Sequence, residues 1–314
     1  MKVLHLLSRF AMLWVWAMAS LPVPAPARSP APLLPNDACG SPEAMGEAQR
    51  AGAAMVQQVL AAGMPWSEQS LNEYVNRLGQ NLARTSGSQE VFTFYVLYEP
   101  RVNAQAFPGG YIVINSGVIS LAESEGELAS VLSHEIAHEN LCDWRTVPGK
   151  CNLFELIAAV PAVILGGPAG IVLLSASGFT APAARARVSR SVEQRADRLG
   201  AQYLALAGYD PHAAEKFFER LQAEQEQSGG DVGGLLATHP RTSERRKELE
   251  KIVPTLSEPA YSPHDEKEFL RMRKAVRDYD AIYSRIVGVH VPGREAPPPA
   301  LSRRPPLQTA GTRD

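Results

Sequence analysis

The stretch that decides the fold is residues 124–140, which read SEGELASVLSHEIAHEN. Ser124 and Glu127 form a capping box, a typical helix start, and the predicted helix runs to about residue 139. Because residues four apart share one helix face, His134 and His138 can bind the same metal ion. Glu135 directly follows His134 and projects to the side of the face that the two histidines share, where it can hold a metal-bound water molecule and take its proton. The alternative is a chance match of this pattern on an ordinary helix.

The pattern predicts one zinc ion per chain, because zinc binds neutral imidazole and carboxylate in tetrahedral sites and keeps one position open in enzymes. A third histidine that extends the motif is excluded, since Leu141 and Trp144 stand at those positions. Glu193, on a later predicted helix, is the strongest candidate for the third ligand. Asp197 follows four residues later and can accept the distal N–H of a ligand histidine. The alternative is that both carboxylates lie on a solvated helix face.

Around this helix the sequence predicts an α+β fold, in which helices surround a small sheet. Segment 91–98 is aromatic and β-branched, which is typical of a strand, and a turn at 108–110 joins extended segments 103–107 and 111–115. A capping box at Ser70 and Glu73 predicts a further helix to about residue 82. The other predicted helices are 43–62, 185–207, 211–227, 241–252 and 265–286.

One extended segment is predicted to bind substrate. It consists of Tyr111, Ile112, Val113, Ile114 and Asn115. A peptide that adds to an exposed sheet edge is aligned by main-chain hydrogen bonds, so an edge strand here would present the scissile bond to the metal. The alternative is an inner strand of an ordinary hairpin.

The two ends of the chain are predicted to lie outside the folded domain at 43–290. Residues 1–27 have a basic start, an apolar run and small-x-small sites ending at Ala19 and Ala27, the layout of a signal peptide. The alternative is an uncut membrane anchor. Residues 28–42 and 291–314 are proline-rich, which predicts a linker and a disordered tail. Export to the periplasm would permit a disulfide between Cys142 and Cys151.

Residues 153–174 form a nearly uncharged stretch that prolines and glycines interrupt. Three interpretations remain open: a re-entrant or membrane-resting hairpin, a buried core element, and a true membrane span. The arginines that follow, Arg185, Arg187 and Arg190, suit an anionic membrane surface or a solvated helix face equally well.

Composition excludes several classes of protein. A formal net charge of −2 argues against a nucleic-acid partner, which normally requires a basic excess. A hydrophobic content of 45% argues against general disorder. Three cysteines are too few for a small protein built on disulfides.

The chain resembles the zinc metallopeptidase family of the CAAX prenyl proteases, HtpX and BepA over residues 67–250. The stretches that match in order and spacing are NAQAFPGG at 103–110, NSG at 115–117, HEIAH at 134–138, EQRADRLG at 193–200, GYDP at 208–211 and THP at 238–240, with Arg245. The resemblance implies a mainly helical gluzincin domain in which Glu193 is the third ligand and Glu135 the catalytic base. Arg195 departs from the pattern, since an acidic residue is common there. In layout the chain is similar to an exported BepA-like catalytic domain without the tetratricopeptide half.

In related sequences the turn at 238–240 lies over the active site, which gives His239 two alternative roles. It can donate a hydrogen bond to the oxyanion of the reacting substrate, or it can occupy the open zinc position and hold the enzyme latent. Arg245 can support the same oxyanion or a substrate carbonyl. The alternatives are a structural histidine in a turn and an arginine on a helix surface.

These residues favour a zinc-dependent metalloendopeptidase that hydrolyses misfolded or unassembled envelope proteins, with water activated by Glu135. Its partners would be polypeptide substrates and either the membrane surface or the outer-membrane assembly machinery. A second interpretation is a periplasmic chaperone or assembly factor of the outer membrane that cleaves rarely. Glu135 favours the enzyme, because a protein that only binds does not need that carboxylate. A third is a membrane-embedded protease, favoured only if residues 153–174 span the bilayer.

Overall fold

The computed structural model describes residues 41–143, 190–227, 239, 243–256 and 266–287. The predicted signal peptide, most of the linker, the apolar stretch at 153–174 and the C-terminal tail lie outside these residues. Within them the predicted α+β fold is confirmed, because helices surround a three-stranded sheet. No helix in the described ranges is both long enough and apolar enough to cross a membrane.

The predicted helices and strands occur in the predicted order, and one short helix, Ser116–Leu121, was not predicted. In chain order they are α1 (Pro42–Ala62), α2 (Gln69–Thr85), β1 (Thr93–Leu97), β2 (Ala104–Phe107), β3 (Tyr111–Asn115), α3 (Ser116–Leu121), α4 (Glu125–Asn140), α5 (Arg190–Leu206), α6 (His212–Gln227), α7 (Ser243–Ile252) and α8 (Glu266–Val287). A short 3₁₀ turn, Val253–Thr255, follows α7.

Helix α2 begins differently from the prediction. The expected capping box of Ser70 and Glu73 is wrong, because the helix starts at Gln69 and its capping residue, Glu68, makes no side-chain cap bond. Ser70 already lies in the first turn, and its hydroxyl donates to Glu68 at 2.9 Å. The helix is instead held by its apolar face, since most of the stability of a protein helix comes from packing. The most deeply buried residues of that face are Leu71, Val75 and Leu82.

The sheet has the strand order β1–β3–β2, so Tyr111–Asn115 is its central strand. β3 pairs in parallel with β1 and antiparallel with β2. The prediction that this segment is the exposed, substrate-binding edge is therefore wrong, and the alternative of an inner strand holds. The physical reason is burial on both faces: Ile112 and Ile114 pack into the main core, while Val113 packs with side chains of α1.

Helix α4 runs through the centre of the domain, and the predicted cap is present at its start. Ser124 accepts a hydrogen bond from the Glu127 N–H at 3.2 Å. Glu125, in the first turn, is buried and accepts the hydroxyls of Tyr74 and Tyr209 at 2.9 and 2.8 Å. These contacts tie the start of α4 to α2 and to the segment after α5, so the core fixes the position of the histidines further along the helix.

Helix α5 packs closely along α4. A Cβ added at Gly200 would lie 3.1 Å from backbone atoms of His134, so a glycine permits the close approach of the two helices. The helix ends, as predicted, before Gly208, which adopts a φ of +89° that side-chain-bearing residues rarely adopt. Asp210 then accepts the His212 N–H at 2.9 Å and starts α6. This packing brings the acidic residues of α5 alongside the histidines of α4.

Candidate metal centre

Four side chains converge between α4, α5 and the residue at position 239. His134, His138, Glu193 and His239 each offer one donor atom, and these atoms all lie within 4.8 Å of one another. Three of the four residues are buried, and His134 is partly buried. The structure thus brings together the three predicted ligands and also the histidine for which two roles were open.

The donor spacing fits one tetrahedral metal ion. Nε2 of His134 lies 3.0 Å from Nε2 of His138 and 3.4 Å from Nδ1 of His239. Glu193 oxygens lie 3.1 Å from His239 Nδ1, 3.5 Å from His134 Nε2 and 3.6 Å from His138 Nε2. A tetrahedral zinc ion with bonds of about 2.0–2.1 Å places its ligands about 3.3 Å apart. The residues present therefore suit an ion of the size of zinc.

Each α4 histidine has a carboxylate behind it. Asp197 Oδ1 lies 3.1 Å from Nδ1 of His134, in the position expected from its spacing to Glu193. Asp143 Oδ2 lies 2.9 Å from Nδ1 of His138. A carboxylate on Nδ1 fixes the ring and the tautomer, so both Nε2 atoms present a lone pair to the centre.

Asp143 is a site residue that sequence reasoning missed. It lies just past the end of α4, and Cys142 before it adopts a positive φ of 51°, which turns the chain back toward His138. Cys142 is disulfide-bonded, and its predicted partner Cys151 lies outside the described residues. Asp143 Oδ1 also lies 3.1 Å from Arg195, the residue that departs from the family pattern. The signal in the sequence was an acidic residue one turn beyond a ligand histidine.

Glu135 has one oxygen bound and one without a partner. Its Oε2 accepts the Ala106 N–H of β2 at 2.8 Å. Its Oε1 has no hydrogen-bond partner among the described residues and lies 3.5 Å from His239 Nε2, which also has none there. The side chain is fully buried. A buried carboxylate oxygen without a donor is costly unless another group, such as a water or a substrate, satisfies it.

A second residue that sequence reasoning missed is Glu139, which holds the turn between β2 and β3. Its Oε1 accepts the N–H groups of Gly109 and Gly110 at 2.6 and 3.0 Å. Both glycines have positive φ, +86° and +81°, so the turn requires residues without a Cβ. Burial raises the pKa of Glu139 to about 7, although the two N–H groups oppose that shift. This clamp fixes β2, whose backbone in turn holds Glu135.

Arg245 lies on α7 and is 2% exposed, so the interpretation as a helix-surface arginine is wrong. Its Nε and Nη2 donate to the two oxygens of Asp197 at 2.7 and 2.6 Å. Its Nη1 lies 2.8 Å from Glu193 and donates to the His239 carbonyl at 3.4 Å. The guanidinium is thus directed at the carboxylates of the centre.

The positive charges around the centre keep its carboxylates ionised. Burial would raise the pKa of Asp197, but the charge and hydrogen bonds of Arg245 and the contact with His134 hold it below its ordinary value. Burial likewise opposes ionisation of Glu193, yet His239, His134 and Arg245 hold the pKa of Glu193 below its usual range. Because Glu193 is 1% exposed, the interpretation of a solvated helix face is wrong. An ionised carboxylate is the form that binds a metal.

Known proteins share this arrangement of sequence. A beta-barrel assembly-enhancing protease of Yersinia pestis is 31% identical over 215 residues, which cover 63% of this chain and 43% of the relative. The beta-barrel assembly-enhancing protease of Escherichia coli K12 is 29% identical over 215 residues, which cover 66% of this chain and 44% of the relative. The mitochondrial metalloendopeptidase OMA1 of Schizosaccharomyces pombe is 30% identical over 189 residues, or 58% and 52%. The chain spans about half the length of the curated relatives it matches.

Peptidase family M48 matches residues 65–253, which is more than half of the chain. The matched range includes both histidines of α4, Glu193 of α5 and the segment with His239 and Arg245. The predicted membership of a metallopeptidase family is therefore confirmed: the chain belongs to Peptidase family M48.

Proposed function

We propose that this chain is a zinc-dependent metalloendopeptidase in which His134, His138 and Glu193 hold the metal and Glu135 is the general base. One observation carries the proposal: donors 3.0–3.6 Å apart lie beside a buried carboxylate oxygen that has no partner among the described residues. A bound zinc ion supplies Lewis acidity that polarises the scissile carbonyl and makes water a better nucleophile.

The residues of the chain provide the proton transfers. Oε1 of Glu135 takes a proton from the attacking water and delivers it to the leaving amine, while Oε2 stays bound to the Ala106 N–H. Because one oxygen is anchored to β2, the carboxylate does not need to reorient between the two transfers. A base anchored in this way is suited to a reaction in which it must first accept and then donate a proton.

The substrate binds along β2 in this proposal, and not along β3. β2 pairs with β3 on one side only in the described sheet. Because the N–H and C=O groups of successive residues in a strand point to opposite sides, those of Ala104 and Ala106 point away from β3. The Ala106 N–H points to Glu135 at 2.8 Å, so this side of β2 faces the reacting centre. A peptide that pairs with this edge is aligned by main-chain hydrogen bonds, which tolerate many side chains.

His239 is the fourth ligand of a resting centre in this proposal. Its Nδ1 lies 3.1 Å from Glu193 and 3.4 Å from His134 Nε2, which are ligand-to-ligand distances. A centre with four protein ligands has no open position, so the enzyme stays latent until His239 leaves. The alternative role, a donor to the oxyanion, requires His239 to release Glu193 and turn toward the substrate.

Arg245 acts as a positioning residue rather than a group that contacts substrate. Its guanidinium already donates to Asp197 and lies against Glu193, and its Nη1 contacts the backbone of the segment that carries His239. It thereby joins the third ligand, the carboxylate behind His134 and the covering histidine into one charged cluster.

We propose that the substrates are polypeptides, and that the natural substrates are misfolded or unassembled envelope proteins. The support is that two of the relatives are named for enhancing beta-barrel assembly and a third is named a metalloendopeptidase. The second candidate is a chaperone or assembly factor that rarely cleaves, favoured by the word assembly in those names. The Glu135→Gln variant distinguishes the protease from the chaperone. It should lose any function that depends on proteolysis and keep any function that depends only on binding.

The proposal is tested with purified mature protein by measuring metal content and cleavage of casein. We expect about one zinc ion per chain, removal of activity by a chelator, and recovery on addition of zinc. Glu135→Gln should keep the zinc and lose the cleavage. Cleavage by the Glu135→Gln protein at the wild-type rate would show that a contaminant or another site is responsible.

We also propose that the protein is exported after cleavage of its first residues. The basic start, apolar run and small-x-small sites of residues 1–27 support this. Mass spectrometry of protein from the cell envelope should find a new N-terminus after Ala19 or Ala27. An intact Met1 in that fraction would instead mean that the segment remains as an anchor.

A further inference from the structure

We propose that a cavity beside the metal ligands selects a medium-sized apolar side chain next to the scissile bond of the substrate. The inference rests on the proposed peptidase function and specifies its substrate. The cavity has a volume of about 40 Å³ and lies between α4, α5, α6 and α7. Its walls include Val131, Ala214, Phe217, Phe218, Leu221 and Leu249.

The chemistry of the cavity differs between its two ends. One end is lined by polar and charged residues of the site, which are His134, Glu135, Asp197, His239 and Arg245. The remaining wall is apolar, apart from Ser130, whose hydroxyl already donates to the Glu127 carbonyl at 2.7 Å. A peptide bond placed at the polar end therefore sends a neighbouring side chain into surroundings that offer it no hydrogen bond.

The position of the cavity is coupled to the reacting groups by helix geometry. Val131 lies three residues before His134, and Leu249 lies four residues after Arg245. Residues three or four apart lie on the same helix face, so each of these walls is one turn from a site residue. The guanidinium of Arg245 also lies over the Phe218 ring, 4.9 Å from its centre. The apolar walls on α4, α6 and α7 are thus each placed next to a residue of the site.

The volume limits the size of the side chain. A water-sized group occupies about 10–15 Å³ on the same measure, so the cavity has room for about three to four non-hydrogen atoms. Valine, leucine, isoleucine and methionine match this number. The two charged residues Arg245 and Asp197 that line the cavity already pair with each other. Aspartate, glutamate and lysine would therefore bury a further charge against the apolar wall, which is strongly unfavourable. Phenylalanine and tryptophan exceed the available space.

The first test measures peptide binding by the full chain, zinc-loaded and carrying Glu135→Gln, so that bound peptide stays intact, together with His239→Ala, so that the zinc position is open. Peptides that differ at a single residue of an otherwise constant sequence are compared, with glycine, valine, leucine, phenylalanine and aspartate at that position. We expect leucine or valine to bind about 10–200-fold more tightly than glycine, the range for filling an apolar pocket. Equal affinities across the series would overturn the inference.

The second test changes the shape of the cavity. Leu221→Ala should enlarge it and raise the affinity for the phenylalanine peptide relative to the leucine peptide by about tenfold or more. Ala214→Leu should fill it and reverse the preference toward glycine. Leu206→Ala and Ala223→Leu make the same changes at exposed positions outside the cavity and should leave the preference unchanged. If Leu221→Ala fails to retain zinc, Leu221→Val is the milder version of the same change.

The two hypotheses fail in different ways. If zinc-loaded wild-type protein and the His239→Ala variant cleave no peptide, the proposed peptidase function fails, and the binding series still tests the cavity. If cleavage occurs but its sites show no apolar preference beside the cut, the cavity inference fails and the peptidase function stands. Cleavage sites with the same preference in wild type, Leu221→Ala and Ala214→Leu would also overturn the inference.

Discussion

The metal centre has two halves that are held in different ways. Helix α4 supplies His134, Glu135 and His138 and is packed on all sides, with Leu132 and Ile136 fully buried in the main core. The covering half consists of His239 and α7. Among the described residues, Leu249 of α7 packs in a small apolar cluster, and Arg245 joins α7 to the carboxylates of α5.

This difference indicates which half can move. A packed core has few alternative arrangements, so α4 cannot shift without loss of the fold. A segment held by few apolar contacts and several ion pairs opens at lower free energy, because its charged groups can exchange protein partners for water. We therefore expect α4 to act as the fixed part of the centre and His239 with α7 to act as its cover.

The largest expected effect follows from removing a proposed metal ligand, either His134 of the fixed half or Glu193 of α5. His134→Ala and Glu193→Ala should each lose most of the bound zinc and all measurable peptidase activity. Metal content by inductively coupled plasma mass spectrometry checks this, with His212→Ala and Glu219→Ala on the surface of α6 as matched controls. Full zinc occupancy in the Glu193→Ala protein would remove Glu193 from the ligand set.

The next effect separates chemistry from metal binding within the same helix. Glu135→Gln should keep its zinc and its thermal stability, because the amide can still lie in the same space. Hydrolysis should fall by about 10²–10⁴-fold, the range for loss of a general base. The rate of cleavage of a fluorogenic peptide measures this, and Glu219→Gln is the control. A rate within a factor of three of wild type would contradict the role of Glu135.

His239→Ala tests the covering half, and the two proposed roles predict opposite signs. If His239 is a resting ligand, the variant should keep zinc and become faster by about 10–1,000-fold, since a minor active state is typically 0.1–10% populated. If it stabilises the oxyanion, turnover should fall by about two to three orders of magnitude. The distances to Glu193 and His134 favour the increase. An unchanged rate would leave His239 with a structural role only.

Local patterns in the sequence predicted the fixed half well and the rest of the site less well. The capping residue Ser124, the spacing of His134 and His138, and the spacing of Glu193 and Asp197 are all helix features. Because the α-helix is a local structure, such residues share a face wherever the helix lies. The three-dimensional fold was needed only to bring the two helices together.

The strand order could not be predicted in the same way. The sequence pattern of the hairpin formed by β2 and β3 does not indicate which of the two strands lies at the edge of the sheet. The parallel pairing of β1 with β3 makes β3 central, and it joins segments with no local turn between them. The contact of Arg245 with Asp197 likewise joins two helices that are far apart in the sequence, so spacing carried no signal for it.

The smallest expected effect concerns the two carboxylates behind the histidines. Asp143 accepts the Nδ1–H of His138 at 2.9 Å, and its ion pair with Arg195 involves a largely exposed guanidinium. Asp143→Ala should therefore weaken zinc binding by about 10–100-fold, the usual effect of losing such a support, with little change in stability. Asp143→Asn should recover part of that loss, because its carbonyl can still accept the Nδ1–H.

Asp197 provides the comparison, since it supports His134 and also pairs with the buried Arg245. Asp197→Asn leaves Arg245 without one of its charged partners, and breaking a buried pair costs about 3–5 kcal/mol of folding free energy. We therefore expect Asp197→Asn to lower the free energy of unfolding measured with urea. We expect Asp143→Ala to lower mainly the zinc affinity measured by competition with a chelator. Asp278→Ala, at a surface position on α8, should change neither quantity. Equal losses of stability in the Asp143 and Asp197 variants would contradict the view that the charged cluster around Arg245 holds the covering half in place.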